Sequence, residues 1–393
     1  MLGILGSDSN TLDINSRISI VSIVYIAVIA PCVFILQPGF VQGLVAYLHF
    51  SEEQAGYIAS AEMFGLALTT IVLNFISTRF DWRKLTVLFL VVSALGNLAS
   101  VLVTDFNSLA AIRFITGMGS GGLMSLTFAM MGLTKKADRN FGFIITWVLT
   151  YGALGLLVMP SAFELINMSG VILFFAFFNA SGLFFVRYLP RAGNIRTDID
   201  LSNAPQYSKL LIALSLLAIL VYNTSIGIVW AYMFLIGLEA GVGEQSVANI
   251  LTVSQFLGIA GAFVVVVLQL RFGRITPLLI TIFGTAIGIY LLVGKIALLH
   301  FTLGVCIFNF LWNVSMPYLF ATMADFEPTG KVVIYGTSMQ ATGYAVGPFI
   351  AATILGRSNY DNVYLVATVM FVVSGVLLIP GLIAQKKHQQ ASG

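Results

Sequence analysis

Twelve stretches of mostly apolar residues follow one another along the chain, separated by short polar breaks. A helix needs about 20 such residues to cross a bilayer. The runs fall roughly at 18–46, 54–77, 85–104, 109–133, 142–161, 169–188, 209–237, 246–270, 275–294, 298–323, 332–356 and 362–384. A soluble core cannot absorb this much apolar sequence: hydrophobic residues make up 59% of 393 and charged residues only 9%, where ordinary globular chains carry about 25% charged. Membrane barrel strands do not fit either, being about ten residues long and alternating in polarity. The sequence predicts an all-α membrane protein with twelve transmembrane helices.

The few charges orient it. With both termini on one side, sixteen of the 19 Lys and Arg fall on that side, Lys295 and Arg357 fall opposite, and Arg113 lies within a span. Positive residues collect in cytoplasmic loops, so both termini are expected in the cytoplasm. The basic loops are thereby explained as topology determinants, and no nucleic-acid partner is expected. The first apolar run is a full span rather than a short leader segment, so no cleaved signal is expected. Cys32 and Cys306 both fall inside spans and read as small buried hydrophobes. His49, His300 and His388 are isolated in sequence, and no Cys/His cluster has metal spacing. A nucleotide-driven pump is disfavoured, because the chain has no G-x-x-x-x-G-K-[ST] loop and no soluble domain to hold nucleotide. No cofactor and no enzymatic activity are expected.

The longest polar stretch, Arg187 to Lys209, contains Pro190 and Pro205 and reads as a linker. It divides the chain into a six-helix bundle over 1–189, a cytoplasmic linker over 190–208 and a second six-helix bundle over 209–393. The bundles repeat weakly at a shift of 192 residues: Arg79-Phe80 aligns with Arg271-Phe272, and Gly155 with Gly347. An even number of spans per repeat keeps both bundles in the same orientation, the arrangement in which a solute site lies at their interface near the midplane.

These features resemble the major facilitator superfamily over essentially the whole chain. The resemblance rests on the twelve spans, the basic loop after span two with its echo after span eight, and Arg113-Phe-Ile-Thr-Gly117-Met-Gly119-Ser-Gly121 in span four. The superfamily's loop signature, G-x-x-x-D-R-x-G-R-K, is degraded to Asn74-Phe-Ile-Ser-Thr78-Arg79-Phe80-Asp81-Trp82-Arg83-Lys84. Asp81 is then the acid left to stand in for the one missing at Thr78. The resemblance implies a conformational latch at Arg79, Asp81, Arg83, Arg271 and Arg274. It also implies that spans one, four, seven and ten line the central path. The G-x-x-x-G-P string common in drug-efflux members is missing from span five and present instead as Gly343-Tyr-Ala-Val-Gly347-Pro348 in span eleven.

Glu62 and Arg113 carry the chemistry. A charge at bilayer depth costs several kcal/mol unless it is paired or hydrated, so such a residue is a functional candidate by default. Glu62 lies about nine residues, or ~14 Å, inside span two, and Arg113 about five residues, or ~7 Å, inside span four. A long guanidinium side chain covers much of that difference. Desolvation favours the neutral acid and Arg113 favours the carboxylate, so the pair is expected to carry protons. The plainer alternative is a static ion pair that fixes helix packing. The candidate substrate-binding residues are Gln37, Arg113, Trp147, Tyr151, Asn223, Gln255, Asn309, Asn313 and Gln340, with Trp230 and Trp312 beside them. At the 192 shift Glu62 maps to Ser254 and Arg113 to Val305, which puts titratable charge in the first bundle and neutral hydrogen-bonding groups in the second. The expected function is a proton-coupled carrier, monomeric and embedded in a bacterial inner membrane, moving a small organic solute by alternating access. Efflux is the favoured direction. The alternatives are uptake of an organic anion on Arg113 and translocation of lipid or lysolipid.

The charge distribution makes the orientation testable. Cysteines placed at Asp105 and Glu239 are expected to react with an impermeant thiol reagent on intact cells, and one placed at Arg196 is not. External labelling of Arg196→Cys would overturn the assigned orientation.

Overall fold

The computed structural model describes residues 13–76, 79–191, 207–268, 273–294, 297–327, 331–356 and 359–392. Among these the chain is helical, in the order α1 (Arg17–Ile29), α2 (Cys32–Ile35), α3 (Gln37–Leu48), α4 (Glu52–Ile76), α5 (Trp82–Val101), α6 (Phe106–Gly132) and α7 (Ala137–Ser181). There follow α8 (Lys209–Glu239), α9 (Glu244–Leu268), α10 (Ile275–Tyr290), α11 (Leu298–Phe326), α12 (Lys331–Leu355) and α13 (Tyr360–Ser392). Of the linker expected at 190–208, residues 192–206 lie outside the described residues.

Eight helices among the described residues are long and apolar enough to cross a membrane, where the sequence predicts twelve. The differences have local causes. The first run is divided into α1, α2 and α3 at Pro31 and Leu36, with Pro38 opening α3, because proline cannot donate into a preceding turn. The fifth and sixth runs are joined as α7, which changes direction at Asn167, where φ is 55°. α10 has 16 residues. α12 is long, but Gly336, Ser338, Gln340, Thr342 and Gly343 dilute its apolar character.

Helix starts follow the sequence. Asp81 caps α5 by accepting from the amides of Arg83 and Lys84, and Asp105 caps α6 by accepting from Ser108. The Ser108 backbone N–H holds the Asp105 carboxyl below the usual carboxylate range. Ser51 and Gln54 form a reciprocal capping box at the start of α4, satisfying two otherwise orphaned amides.

α4 packs on α6, and α5 packs on both α6 and α7. After the linker, α8 packs on α12 and α13, and α9 on α11. The two groups of helices meet through α4 against α12, α7 against α9 and α3 against α8. Gly227 on α8 and Gly347 on α12 sit backbone to backbone: a Cβ on Gly347 would strike the Gly227 backbone at 2.6 Å, and one on Gly227 would lie 3.2 Å from Gly347. This is the close approach that small residues permit between membrane helices, and it is what the Gly343–Pro348 string does here. Burial is uneven along the chain. Residues 26–44 and 222–237 are buried without a break, whereas 207–221 alternates with exposed positions. The helices therefore close together at the end bearing Glu52, Glu244 and Tyr360. At that end the Tyr232 hydroxyl donates to the Glu52 carbonyl at 2.9 Å, and Gln42 donates to Glu244 at 3.3 Å.

The glycine contacts give a direct check. Gly347→Leu is expected to lower Tm by several degrees or abolish folding, since overpacking costs roughly 1–3 kcal/mol or more. Gly132→Ala, with nothing within 4 Å of the added carbon, is expected to leave Tm unchanged. Thermal unfolding of the purified variants measures both.

Candidate functional site

Glu62 on α4 and Arg113 on α6 meet, as their sequence positions predict. Both are buried, at 2% and 0% side-chain exposure. The guanidinium forms a fork on the carboxylate: Nε donates to Oε2 at 3.1 Å and Nη2 donates to Oε1. Its remaining arm, Nη1, donates to Oδ1 of Asn97 on α5 at 2.7 Å, and Asn97 Nδ2 donates in turn to the Ser93 carbonyl at 2.9 Å. The Phe40 ring of α3 lies 5.1 Å from the guanidinium carbon, close enough for a cation–π contact. Four helices thus supply the pair's surroundings. A bidentate, charge-assisted arrangement is the geometry that repays the cost of taking two charges out of water.

Backbone approach makes the fork possible. A Cβ at Gly117 would overlap the Glu62 carbonyl oxygen, one at Gly121 the Leu66 carbonyl, and one at Gly65 the Phe114 carbonyl. Gly119 and Gly122 face the opposite way, onto Ser93 and Phe89 of α5. The alternate glycines of the Arg113–Gly121 pattern therefore seat α6 tightly between α4 and α5. That brings the helix carrying the arginine within reach of both Glu62 and Asn97.

The second group of helices holds a neutral counterpart. Asn309 Nδ2 donates to Ser254 Oγ at 3.1 Å, and Asn313 Nδ2 donates to Asn309 Oδ1 at 3.0 Å. Gly258 packs against both amides. These asparagines lie in the α9–α11 contact, the place that α4–α6 occupies in the first group. Gln255 packs against Gly152 across the α7–α9 contact, where the Thr252 hydroxyl donates to the Ala153 carbonyl at 3.1 Å. Tyr151 donates to the Cys32 carbonyl at 3.2 Å and stacks on Phe178. Gln340 donates to the Tyr344 hydroxyl at 3.2 Å. Gln37 Oε1 and Asn223 Oδ1 are buried without a hydrogen-bond partner. Trp147 is 57% exposed on α7.

An aromatic group joins α2, α8, α11 and α12. Trp230 and Trp312 meet edge to face with centroids 5.8 Å apart, Trp312 lies 6.2 Å from Tyr344, and Tyr344 lies 4.9 Å from Phe34. Trp230 Nε1 donates to the Phe34 carbonyl at 3.1 Å, across the two groups of helices. The sequence reading picks out both tryptophans and misses Phe34, Tyr344, Phe40 and Asn97. Asn97 carried a signal, being a lone amide in the middle of an apolar run. The aromatic residues carried none among 31 Phe and 14 Tyr.

The loop residues serve local ends. Asp81 is occupied as the α5 cap, Arg83 Nε donates to the Leu189 carbonyl, and Arg79 is exposed. Arg274 donates to Asp325 and to the Ala321 carbonyl. Arg271 lies outside the described residues.

The Major Facilitator Superfamily model matches residues 22–206. The putative niacin/nicotinamide transporter NiaP of Bacillus subtilis (strain 168) is 23% identical over 121 residues, which is 30% of this chain and 30% of that protein. The match thus spans less than a third of the curated relative's length. Among solved structures, a mutant form of the nucleoside transporter NupG superposes with a TM-score of 0.75, covering 92% of this chain and 99% of the other at 11% identity. At that identity the likeness is one of fold.

Removing single members of the Arg113 site has graded expected costs. Asn97→Ala leaves one guanidinium arm unpaired and is expected to cost about 1–3 kcal/mol. Arg113→Ala strands a buried carboxylate and is expected to cost about 3–5 kcal/mol. Glu62→Gln combined with Arg113→Met, which leaves no buried charge, is expected to recover stability relative to Arg113→Ala alone. Denaturation of the purified variants in one detergent compares them.

Proposed function

We propose that the chain is a member of the major facilitator superfamily and a proton-coupled secondary transporter moving a small organic solute by alternating access, with Glu62 as the proton carrier. The observation that supports this reading is the Glu62–Arg113–Asn97 cluster, a titratable acid held at membrane depth on a helix that also packs across the interface between the two groups of helices. Protonating Glu62 would cancel its charge and release the arginine fork. The same helix, α4, donates Ser60 Oγ to the Ala345 carbonyl at 2.7 Å and Asn74 Nδ2 to Thr337 at 3.2 Å. A change at Glu62 therefore reaches α12 through one rigid element.

In this reading the twelve apolar runs are twelve crossings in two parallel six-helix repeats, over 1–189 and 209–393, with both termini cytoplasmic. The end that is closed, bearing Glu52 and Glu244, is then the extracellular one, and the conformation is outward-closed. The solute is proposed to sit near Trp230, Trp312 and Tyr344, with Gln340 and Asn223 as polar neighbours. Every nitrogen of the Arg113 guanidinium is already engaged by Glu62 or Asn97, which favours a neutral, ring-bearing solute over an organic anion. Nicotinamide and nucleosides, named for the two similar transporters, are neutral ring compounds of that class, whereas niacin is a carboxylate at neutral pH. Efflux remains the proposed direction, and the setting a bacterial inner membrane.

Glu62→Gln keeps the shape of the acid and removes its titration. In proteoliposomes it is expected to abolish accumulation against a gradient and to retain exchange of labelled for unlabelled solute, which needs no net proton movement. Uphill transport by this variant with wild-type pH dependence would make Glu62 a structural acid and sink the coupling proposal.

A further inference from the structure

A cavity of about 390 Å³ opens at the linker end of the molecule, between the start of α10 and the last turns of α13. Arg274, Ile275, Thr276, Gln385, Lys386 and Gln390 line it. Its chemistry favours an anion. Arg274 spends Nη1 on Asp325 and Ala321, while its Nε is buried with no hydrogen-bond partner. Asp325 offsets one positive charge. Lys386 supplies a second, is exposed, and forms no ion pair among the described residues. Arg274 gives no side-chain cap to α10, so the first amides of that helix face this end without one. Pro277 at the third position removes a donor from the helix but leaves those of Ile275 and Thr276.

The cavity also stands at the head of an apolar surface. α10 and α13 pack together. On α10, Ile280 and Ile287 follow Thr276 along the exposed side, at 62% and 64% exposure. On α13, Ile383, Val376 and Val369 recur at heptad spacing, all exposed. A free inorganic anion has no use for such a surface. A molecule with an anionic head and aliphatic tails uses both parts at once.

We propose that this cavity binds the headgroup of an anionic phospholipid. Its phosphodiester sits against the Arg274 side chain, Lys386 and the start of α10, and its acyl chains lie along the Ile and Val face of α10 and α13. The inference is independent of the transport reading and requires only that these helices be embedded in a bilayer. The lipid bridges the start of α10 and the end of α13. It also shares Arg274 with Asp325 at the end of α11, so it staples three helices at one membrane face.

The test uses the full-length protein in nanodiscs of phosphatidylcholine alone or phosphatidylcholine doped with phosphatidylglycerol, and native mass spectrometry of protein released from them. Phosphatidylglycerol is expected to raise Tm by about 2 °C or more and to leave one lipid retained after mild delipidation. Lys386→Gln is expected to lose both effects, Lys386→Arg to keep them, and Lys84→Gln, a change in an exposed cation at the start of α5, to behave as the parent protein. Equal stabilisation by the two lipid compositions would overturn the proposal, as would a Lys386→Gln protein that retains the bound lipid. Inorganic phosphate in detergent is the remaining arm. If phosphate alone reproduces the Tm rise, the cavity is a free-anion site and the lipid assignment fails. A rise that needs phosphatidylglycerol in the nanodisc supports it.

Discussion

The arginine fork on Glu62 is the constraint around which the first seven helices are arranged. A guanidinium at membrane depth has five N–H donors and no water to receive them. Here each of its three nitrogens donates one hydrogen bond, two to a carboxylate from α4 and one to an amide from α5, with an aromatic face from α3. Each partner fixes the position of a different helix relative to α6. The glycines at 117, 119, 121 and 122 are the other side of the same requirement, since the fork closes only if α6 lies nearly in backbone contact with its neighbours. Removing the charge would leave the helices free to pack at ordinary distances. Removing the glycines would pull the charge away from its partners.

The second group of helices shows what the same architecture does without charge. Ser254 and Asn309 join α9 to α11 with one neutral hydrogen bond, and Gly258 and Gly261 provide the close approach. A neutral pair of this kind is worth roughly 1 kcal/mol and does not change with protonation. At this equivalent contact only the first group holds an ion pair, and the helix that carries its acid, α4, packs against α12.

Much of this was legible in the sequence, for physical reasons that differ by residue. The apolar runs were legible because a bilayer demands length and composition together. The Glu62–Arg113 pair was legible because buried charge is scarce, so two such residues at similar depth have few possible partners other than each other. Helix count was less so. The sequence shows where apolar character lies, but Pro31 divides one run, a positive φ at Asn167 bends a continuous helix, and the run at 332–356, seen in the sequence, is too diluted by polar residues and glycine to stand among the eight. The aromatic group was half visible. Trp230 and Trp312 stand out because tryptophan is rare here, while Phe34 and Tyr344 are chemically identical to many lipid-facing or packing rings. Asn309 and Asn313 illustrate the limit of periodicity. Their spacing places them on one helix face, but which face looks toward α9 is set by tertiary packing.

The closed end completes the physical picture. It is held by contacts that are individually weak. Tyr232 donates to a backbone carbonyl, Gln42 reaches Glu244 at 3.3 Å, and Trp230 donates to the Phe34 carbonyl. Each contributes on the order of 1 kcal/mol, within the range of the few-kcal/mol conformational gaps that ligands shift. The Glu62–Arg113 fork is bidentate and charge-assisted and lies within one group of helices, so on the proposed mechanism it stays intact when that end parts. A carrier needs this ordering of strengths. Interfaces that exchange between conformations must be soft, and the groups that respond to a proton must be held rigidly enough that a change in charge moves a helix rather than a side chain. The backbone contact of Gly227 with Gly347 adds a hard point within the α8–α12 pair. On the proposed mechanism α8 and α12 then move as one body, and the sliding surface is the one where α4 meets α12.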